Sequence, residues 1–380
     1  MQYRTFEKLD WKPSALGFGA MRLPVIDNDP ARIDEPQAIQ MIRYAVDHGV
    51  NYIDTAYPYH GGHSEPFLAL VLQNGYRKKV KLATKLPSWL IESPGDFDRY
   101  FTEQLERLQT DHIDFYLLHG LNKDYWTNLR QMGVLEWVES KMAKGHISHL
   151  GFSFHDSFDV FKEIVDAYDN WTFCQIQYNY MDVDYQAGKR GLKYAAEKGL
   201  GVVIMEPLRG GQLTKNPPPP VARLWATAPR KRTPADWGLQ WVWNQPEVSV
   251  VLSGMSAMQH VAENIASADR AGVGTLSKDE LALIDRVRDA YRKLTPIPCT
   301  SCRYCMPCPN GVNIPRILEI YNDATMYNDN RAARIAYQWV EEQQRADLCI
   351  ECRQCEDLCP QDLPIAEWLK KAHALLGGKE

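Results

Sequence analysis

Between residues 16 and 252 the chain alternates short apolar runs with stretches of helical period, and this alternation limits the possible fold more than any other feature. The runs are 16–21, 50–53, 80–83, 113–118, 147–152, 172–176, 201–205 and 248–252. A helix-period stretch follows each of the first seven, and one is expected after the eighth. Asp34-Glu35-Pro36 reads as a cap with proline in the first turn, and Ala38, Ile39, Ile42, Ala45 and Val46 then form an apolar face that Gly49 ends. Phe97, Phe101, Leu105 and Leu108 repeat the spacing. Gly145 and Gly199 read as residues just past helix ends, and Thr233-Pro234 as another cap. Eight strand–helix units over roughly 275 residues predict an α/β fold, a (β/α)8 TIM barrel. An open doubly wound sheet is the competing layout, although no Gly-x-Gly-x-x-Gly follows an early run. Residues 1–12 read as a hairpin that plugs the barrel floor.

Composition narrows the class. Apolar residues make up 45% and charged residues 24%, which excludes collagen-like, coiled-coil and wholly disordered chains. A net charge of −5 argues against nucleic acid as a partner. No apolar leader and no run of about 18 apolar residues occurs, so a soluble, cytoplasmic protein without membrane insertion is expected. A length of 380 residues suggests one large and one smaller domain, expected at 1–292 and 293–380.

The smaller domain is marked by cysteine. Of nine cysteines, eight lie between Cys299 and Cys359, while Cys174 sits alone in an apolar run and reads as core packing. Clustering at metal-ligand spacing in a cytoplasmic chain points to a metal domain, not a disulfide framework. The first run is Cys299-x2-Cys302-x2-Cys305-x2-Cys308-Pro309, and the second is Cys349-x2-Cys352-x2-Cys355-x3-Cys359-Pro360. Two zinc sites are the alternative to iron–sulfur clusters. Between the runs, Ala332, Ala333, Ile335, Ala336, Trp339 and Val340 mark an apolar stripe, so this domain is expected to be α-helical.

Polar residues gather where a barrel does its chemistry, at the C-terminal ends of the strands. Asp54 follows the second run with Tyr59 five residues on, Lys85 closes the third and His119 the fourth. A free phenol titrates near 10, and an adjacent ammonium stabilises its phenolate, with Asp54 holding Lys85 charged, so a lowered Tyr59 pKa is expected. His119 is placed to polarise a carbonyl oxygen. His60 and His63 are read as rim residues. The 25 residues between Pro207 and Thr233 carry Arg209, Lys215, Arg223, Arg230, Lys231 and Arg232, and read either as a solvated loop or as a lid over an anion.

On the motif Asp54-Thr55-Ala56-Tyr57-Pro58-Tyr59, with Lys85 and Leu117-Leu118-His119, residues 1–290 resemble the aldo-keto reductase superfamily. The resemblance implies a catalytic tetrad of Asp54, Tyr59, Lys85 and His119, with a nicotinamide delivering hydride to a carbonyl carbon. It implies that Ser153 and Gln175 hold the carboxamide, that Met205 stands where an aromatic residue stacks on the ring, and that Pro207 and Leu208 continue that segment. Ser253, Gly254, Ser256 and His260 fall at the phosphate-binding positions, and Glu263 and Asn264 at the adenine. The chain departs from the family by carrying His260 where an arginine is usual, and Phe154-His155 where an asparagine follows the serine. The resemblance implies NADP(H), and the missing arginine makes NAD(H) the alternative.

The second cysteine run matches that of bacterial two-cluster ferredoxins, and residues 295–375 resemble the helical dicluster domain of respiratory reductase subunits. In such proteins the fourth cysteine serves the other cluster. Carried over, Cys299, Cys302, Cys305 and Cys359 would hold one [4Fe–4S] centre, and Cys349, Cys352, Cys355 and Cys308 the second. The expected function is reduction of an aldehyde or ketone by a nicotinamide-dependent barrel joined to electron-transfer clusters, with a ferredoxin-like redox partner. The alternative is an electron-transfer or redox-sensing protein whose barrel only binds nucleotide. No flavin signature joins two-electron hydride chemistry to one-electron clusters.

Overall fold

A computed structural model describes residues 1–299 and 303–378, so Cys302 lies outside the described residues. The eight apolar runs form strands: β1 (Leu16–Gly19), β2 (Tyr52–Asp54), β3 (Lys81–Leu86), β4 (Ile113–Leu121), β5 (Ile147–Phe154), β6 (Phe173–Gln177), β7 (Gly201–Met205) and β8 (Val248–Ser253). Each pairs in parallel with its sequence neighbour, and β8 returns to β1 with Leu16 opposite Val251. That last pairing closes the barrel and excludes the open sheet. Every strand is buried along nearly its whole length, as expected when side chains fill the lumen on one face and helices cover the other.

The sequence signals act where expected. Asp34 Oδ1 accepts from Gln37 N–H at 3.3 Å to start helix Glu35–Asp47, and Thr233 Oγ1 accepts from Asp236 N–H at 3.1 Å to start Pro234–Trp243. At the floor, antiparallel bridges join Tyr3 to Ser14 and Phe6 to Leu9. They deliver Phe6 into a cluster with Tyr52, Phe115, Phe173, Val203 and Val250. Gly201 is bare because Phe6 occupies its side: a Cβ there would stand 2.1 Å from the ring.

The chain divides into two compact units, Met1–Leu213 with Arg232–Ser277, and Thr214–Lys231 with the residues from Lys278 on. In the second unit, helices Ile314–Tyr327, Asn330–Gln338 and Ile365–Leu376 enclose a core that includes Ile297, Val312, Ile317, Leu318 and Leu369. Asn322 substitutes for a strand partner: its Oδ1 accepts from Ile297 N–H at 3.0 Å and its Nδ2 donates to Ile297 O at 2.9 Å. This pins the chain just before Cys299. The expected stripe needs correction. Ala333, Tyr337 and Val340 are buried, whereas Ile335 is 49% and Trp339 80% exposed. The basic segment is largely neutralised by the protein's own acids. Lys215 pairs with Asp329 and Arg230 with Glu280 in the second unit, and Arg209 pairs with Asp182 and Arg232 with Asp236 in the first. Among the described residues no helix is long and apolar enough to cross a membrane.

Candidate active site

The end of β2, the loop after it, and strands β3 and β4 bring the four predicted residues to one mouth. Lys85 Nζ donates to Asp54 Oδ1 at 2.7 Å, to the Thr55 carbonyl at 2.7 Å and to Tyr59 Oη at 3.3 Å. The ammonium also lies 4.8 Å from the centre of the Tyr59 ring, and the Tyr59 and His119 rings meet edge to face at 6.1 Å. Lys85 and Asp54 are buried, and Tyr59 and His119 are half-buried. Trp89, from the turn after β3, packs edge-on against His119 at 5.0 Å.

Burial works against the Lys85 charge, but Asp54 and Tyr59 more than restore it, so the ammonium keeps its proton above the ordinary lysine value. Burial lifts the Asp54 carboxyl, and Lys85 pulls it back only in part. For Tyr59 the expectation from sequence needs correction. Lys85 does favour the phenolate, but burial outweighs it, with Asp54 and Glu206 pushing the same way, and the phenol sits above 10. Burial, Lys85 and His155 hold His119 well below its usual value, so it is a neutral imidazole. Its buried Nδ1 has no hydrogen-bond partner among the described residues.

Three further residues underpin this arrangement, and sequence reasoning missed them. Glu65 is buried and accepts from Thr84 Oγ1 at 2.6 Å and Gln104 Nε2 at 2.8 Å through Oε1, while Arg107 reaches Oε2 at 3.4 Å. Gln104 Nε2 also donates to the Lys85 carbonyl at 3.0 Å. Arg107 stacks on Tyr57 at 4.1 Å and donates to the Tyr57 carbonyl at 3.4 Å. The network thus ties the Lys85 peptide to the loop that carries Tyr59. A signal was present: Gln104 falls in the same helical stripe as Phe97, Phe101 and Leu108, a polar residue on a buried face.

The predicted nucleotide residues occupy the neighbouring strand ends. Ser153 on β5 stands directly opposite Gln175 on β6. Ser153 Oγ accepts from Gly120 N–H at 2.7 Å, which leaves its own proton to donate. Gln175 Oε1 is buried without a hydrogen-bond partner among the described residues, and Nε2 lies 3.9 Å from Met205 Sδ. An unmet carboxamide oxygen beside a serine hydroxyl fits a nicotinamide carboxamide, which offers both a donor and an acceptor. Pro207 and Leu208, which follow in sequence, are buried. Ser253 and Asn264 bond to each other at 3.0 Å and join β8 to helix Met258–Ala268, whereas Gly254, Ser256, His260 and Glu263 are exposed. His155 lies 3.3 Å from Gln186 Nε2. His60 is a structural staple: its Nε2 accepts from Leu23 N–H at 3.1 Å, and its Nδ1 donates to the Pro30 carbonyl at 2.7 Å.

In the second unit, Cys299, Cys305 and Cys359 line one pocket with Arg303, Ile314 and Leu318. Cys308, Cys349 and Cys355 pack against the same core, Cys352 is exposed, and burial raises the Cys355 thiol to about 11. Among the described residues no three or more histidine, cysteine or acidic side chains gather as a single-ion site. Thiols against apolar walls form a donor set of the type that iron–sulfur clusters take. Cys174 is fully buried in β6, as expected of core packing.

Comparison with known proteins places both regions. A family model described as the aldo/keto reductase family matches residues 15–289, and one described as a 4Fe-4S dicluster domain matches residues 298–363. An L-galactose dehydrogenase of Arabidopsis thaliana is 26% identical over 318 residues, which is 78% of this chain and 97% of the plant protein. Among solved structures, a Bacillus halodurans aldo-keto reductase in its holo form is 26% identical with a TM-score of 0.63, covering 76% of this chain and 96% of that one. A Klebsiella pneumoniae aldo-keto reductase in complex with NADPH is 25% identical with a TM-score of 0.61, over 76% and 96% of the two chains.

Proposed function

The chain belongs to the aldo/keto reductase family and is an oxidoreductase of that type, and from this premise we propose that it reduces the carbonyl of an aldehyde or ketone, with NADP(H) as cofactor and Tyr59 as proton donor. When bound, the reduced nicotinamide supplies a hydride to the carbonyl carbon. Tyr59 Oη passes its proton to the carbonyl oxygen, which becomes the product hydroxyl. Lys85, 3.3 Å away, stabilises the phenolate left behind, and Asp54 keeps that ammonium charged and aimed. Neutral His119 orients the carbonyl by hydrogen bonding without competing for the proton. Ser153 and Gln175 hold the carboxamide, Met205, Pro207 and Leu208 flank the ring, and Ser253, Gly254, Ser256, His260, Glu263 and Asn264 take the adenosine end. NAD(H) is the alternative nucleotide.

The contact of Tyr59 with a buried, carboxylate-paired Lys85 carries this reading. Purified protein should oxidise NADPH with members of an aldehyde and ketone panel, and Tyr59→Phe should abolish turnover while nucleotide still binds. Undiminished turnover in that variant would refute the assignment.

Residues 293–380 hold, in this proposal, two [4Fe–4S] clusters, one on Cys299, Cys302, Cys305 and Cys359, and the other on Cys349, Cys352, Cys355 and Cys308. The pocket shared by Cys299, Cys305 and Cys359 supports the first set, since those residues come from opposite ends of the domain. One-electron exchange with a ferredoxin-like protein is the role that suits such clusters.

A further inference from the structure

The two cysteine runs share one pattern but differ in charge. In each, an arginine follows the second cysteine, Arg303 in the first run and Arg353 in the second. Both arginines take a left-handed backbone, with φ of 65° and 57°. Glycine would adopt that conformation without strain, so an arginine in both loops points to a use for its side chain.

The surroundings of the two arginines are unlike. Between Cys299 and Cys308, Arg303 is the sole charged residue. Between Cys349 and Cys359, Glu351, Glu356 and Asp357 outnumber Arg353 by three acids to one base. Arg353 Nη1 lies 3.9 Å from Glu356 Oε2, and the other oxygen of that carboxylate accepts from Ala366 N–H at 2.9 Å. Arg303 pairs with no carboxylate among the described residues. It lines the same pocket as Cys299, Cys305 and Cys359, whose walls include Ile314 and Leu318. Thiols drawn from both ends of the domain into an apolar pocket fit an iron–sulfur cluster. A cluster held by thiolates is negative overall, and its reduction adds one more negative charge. An unpaired cation in the pocket wall favours that added charge, whereas a nearby carboxylate opposes it.

We propose that Arg303 raises the reduction potential of the cluster in the Cys299 pocket above that of the cluster on the second run, so that the first electron taken up resides beside Arg303. The proposal rests on the cluster reading above. Each centre takes one electron from a one-electron donor, and no bond forms or breaks.

Anaerobic redox titration of the full-length protein with dithionite, followed by visible absorption and paramagnetic resonance, tests it. The wild type should take up its electrons in two separate one-electron waves. Arg303→Gln should lower the ratio of reduced to oxidised centre in the upper wave by roughly three- to tenfold at a fixed poise. That is a shift of roughly 30–60 mV at 59 mV per tenfold, with the lower wave left in place. Arg303→Lys should return most of the shift, which a purely structural role for the arginine would not. Glu356→Gln, whose amide oxygen can still accept from Ala366, should raise the lower wave alone. Iron and sulfide at the wild-type level are the control for every variant, and Glu356→Gln carries the test if Arg303→Gln loses iron. Coincident waves in the wild type overturn the proposal. So does an upper wave that stays in place in Arg303→Gln, or a shift of the lower wave instead. Wild-type protein that holds zinc in place of iron, or gives no paramagnetic signal on reduction, sinks the cluster reading itself before any variant is made.

Discussion

On Tyr59, burial and pairing pull in opposite directions, and burial prevails. The phenol is therefore fully protonated through neutral pH, and the proposed carbonyl reduction, which would consume its proton, should run on a plateau there. The rate should fall only as pH climbs through the raised pKa, above 10, while alcohol oxidation, which needs the phenolate, should rise over the same range. Initial rates in both directions across pH check this. Lys85→Met removes the cation that stabilises the phenolate and should lower kcat by about 10²–10³-fold with less change in KM. Glu65→Ala would strip Thr84, Gln104 and Arg107 of a shared acceptor in the interior and should cost about 2–4 kcal/mol in a denaturant titration. The tetrad was legible because each member closes or follows an apolar run. Glu65 and Arg107 were not, because nothing in their local spacing distinguishes a buried pair from an exposed one. What separates them from surface charge is the packing of helix Gly95–Leu108 over β3, a contact between distant segments.

The strands were the most legible elements, since β-runs buried on both faces leave continuous apolar blocks that polar helices interrupt. The floor plug also followed from sequence, but its complement did not: Gly201 opens a strand, and only the approach of Phe6 explains why no side chain stands there. Gly201→Ala should therefore destabilise the barrel by about 1–3 kcal/mol. Phe6→Leu in the same chain should recover part of that, a non-additivity readable from thermal melts. The stripe in helix Asn330–Gln338 shows the converse. Ala333 and Tyr337 keep the period and are buried, but Trp339 caps the helix, so helical spacing no longer sets its direction. Ile335, inside the helix, lies two residues from both Ala333 and Tyr337 and so falls off their face, which leaves it exposed.

At the scale of the whole molecule, the proposed function puts two chemistries on one chain in different currencies of charge. A nicotinamide moves electrons in pairs and a cluster moves them singly. Anaerobic protein should carry about eight irons with matching acid-labile sulfide. Its visible absorption should bleach with dithionite but not with NADPH alone, and bleaching by NADPH would show that the barrel and the clusters exchange electrons directly. The division into two units adds a consequence for synthesis. The chain leaves the first unit at Thr214, returns at Arg232 and leaves again at Lys278, so the second unit is assembled from separated pieces. Lys215 emerges from the ribosome 114 residues ahead of its partner Asp329 (329 − 215). At about 5–20 residues per second, translation keeps that lysine waiting for roughly 6–23 seconds. During that interval Lys215, in segment 214–231, waits without its ion-pair partner, a window open to chaperones.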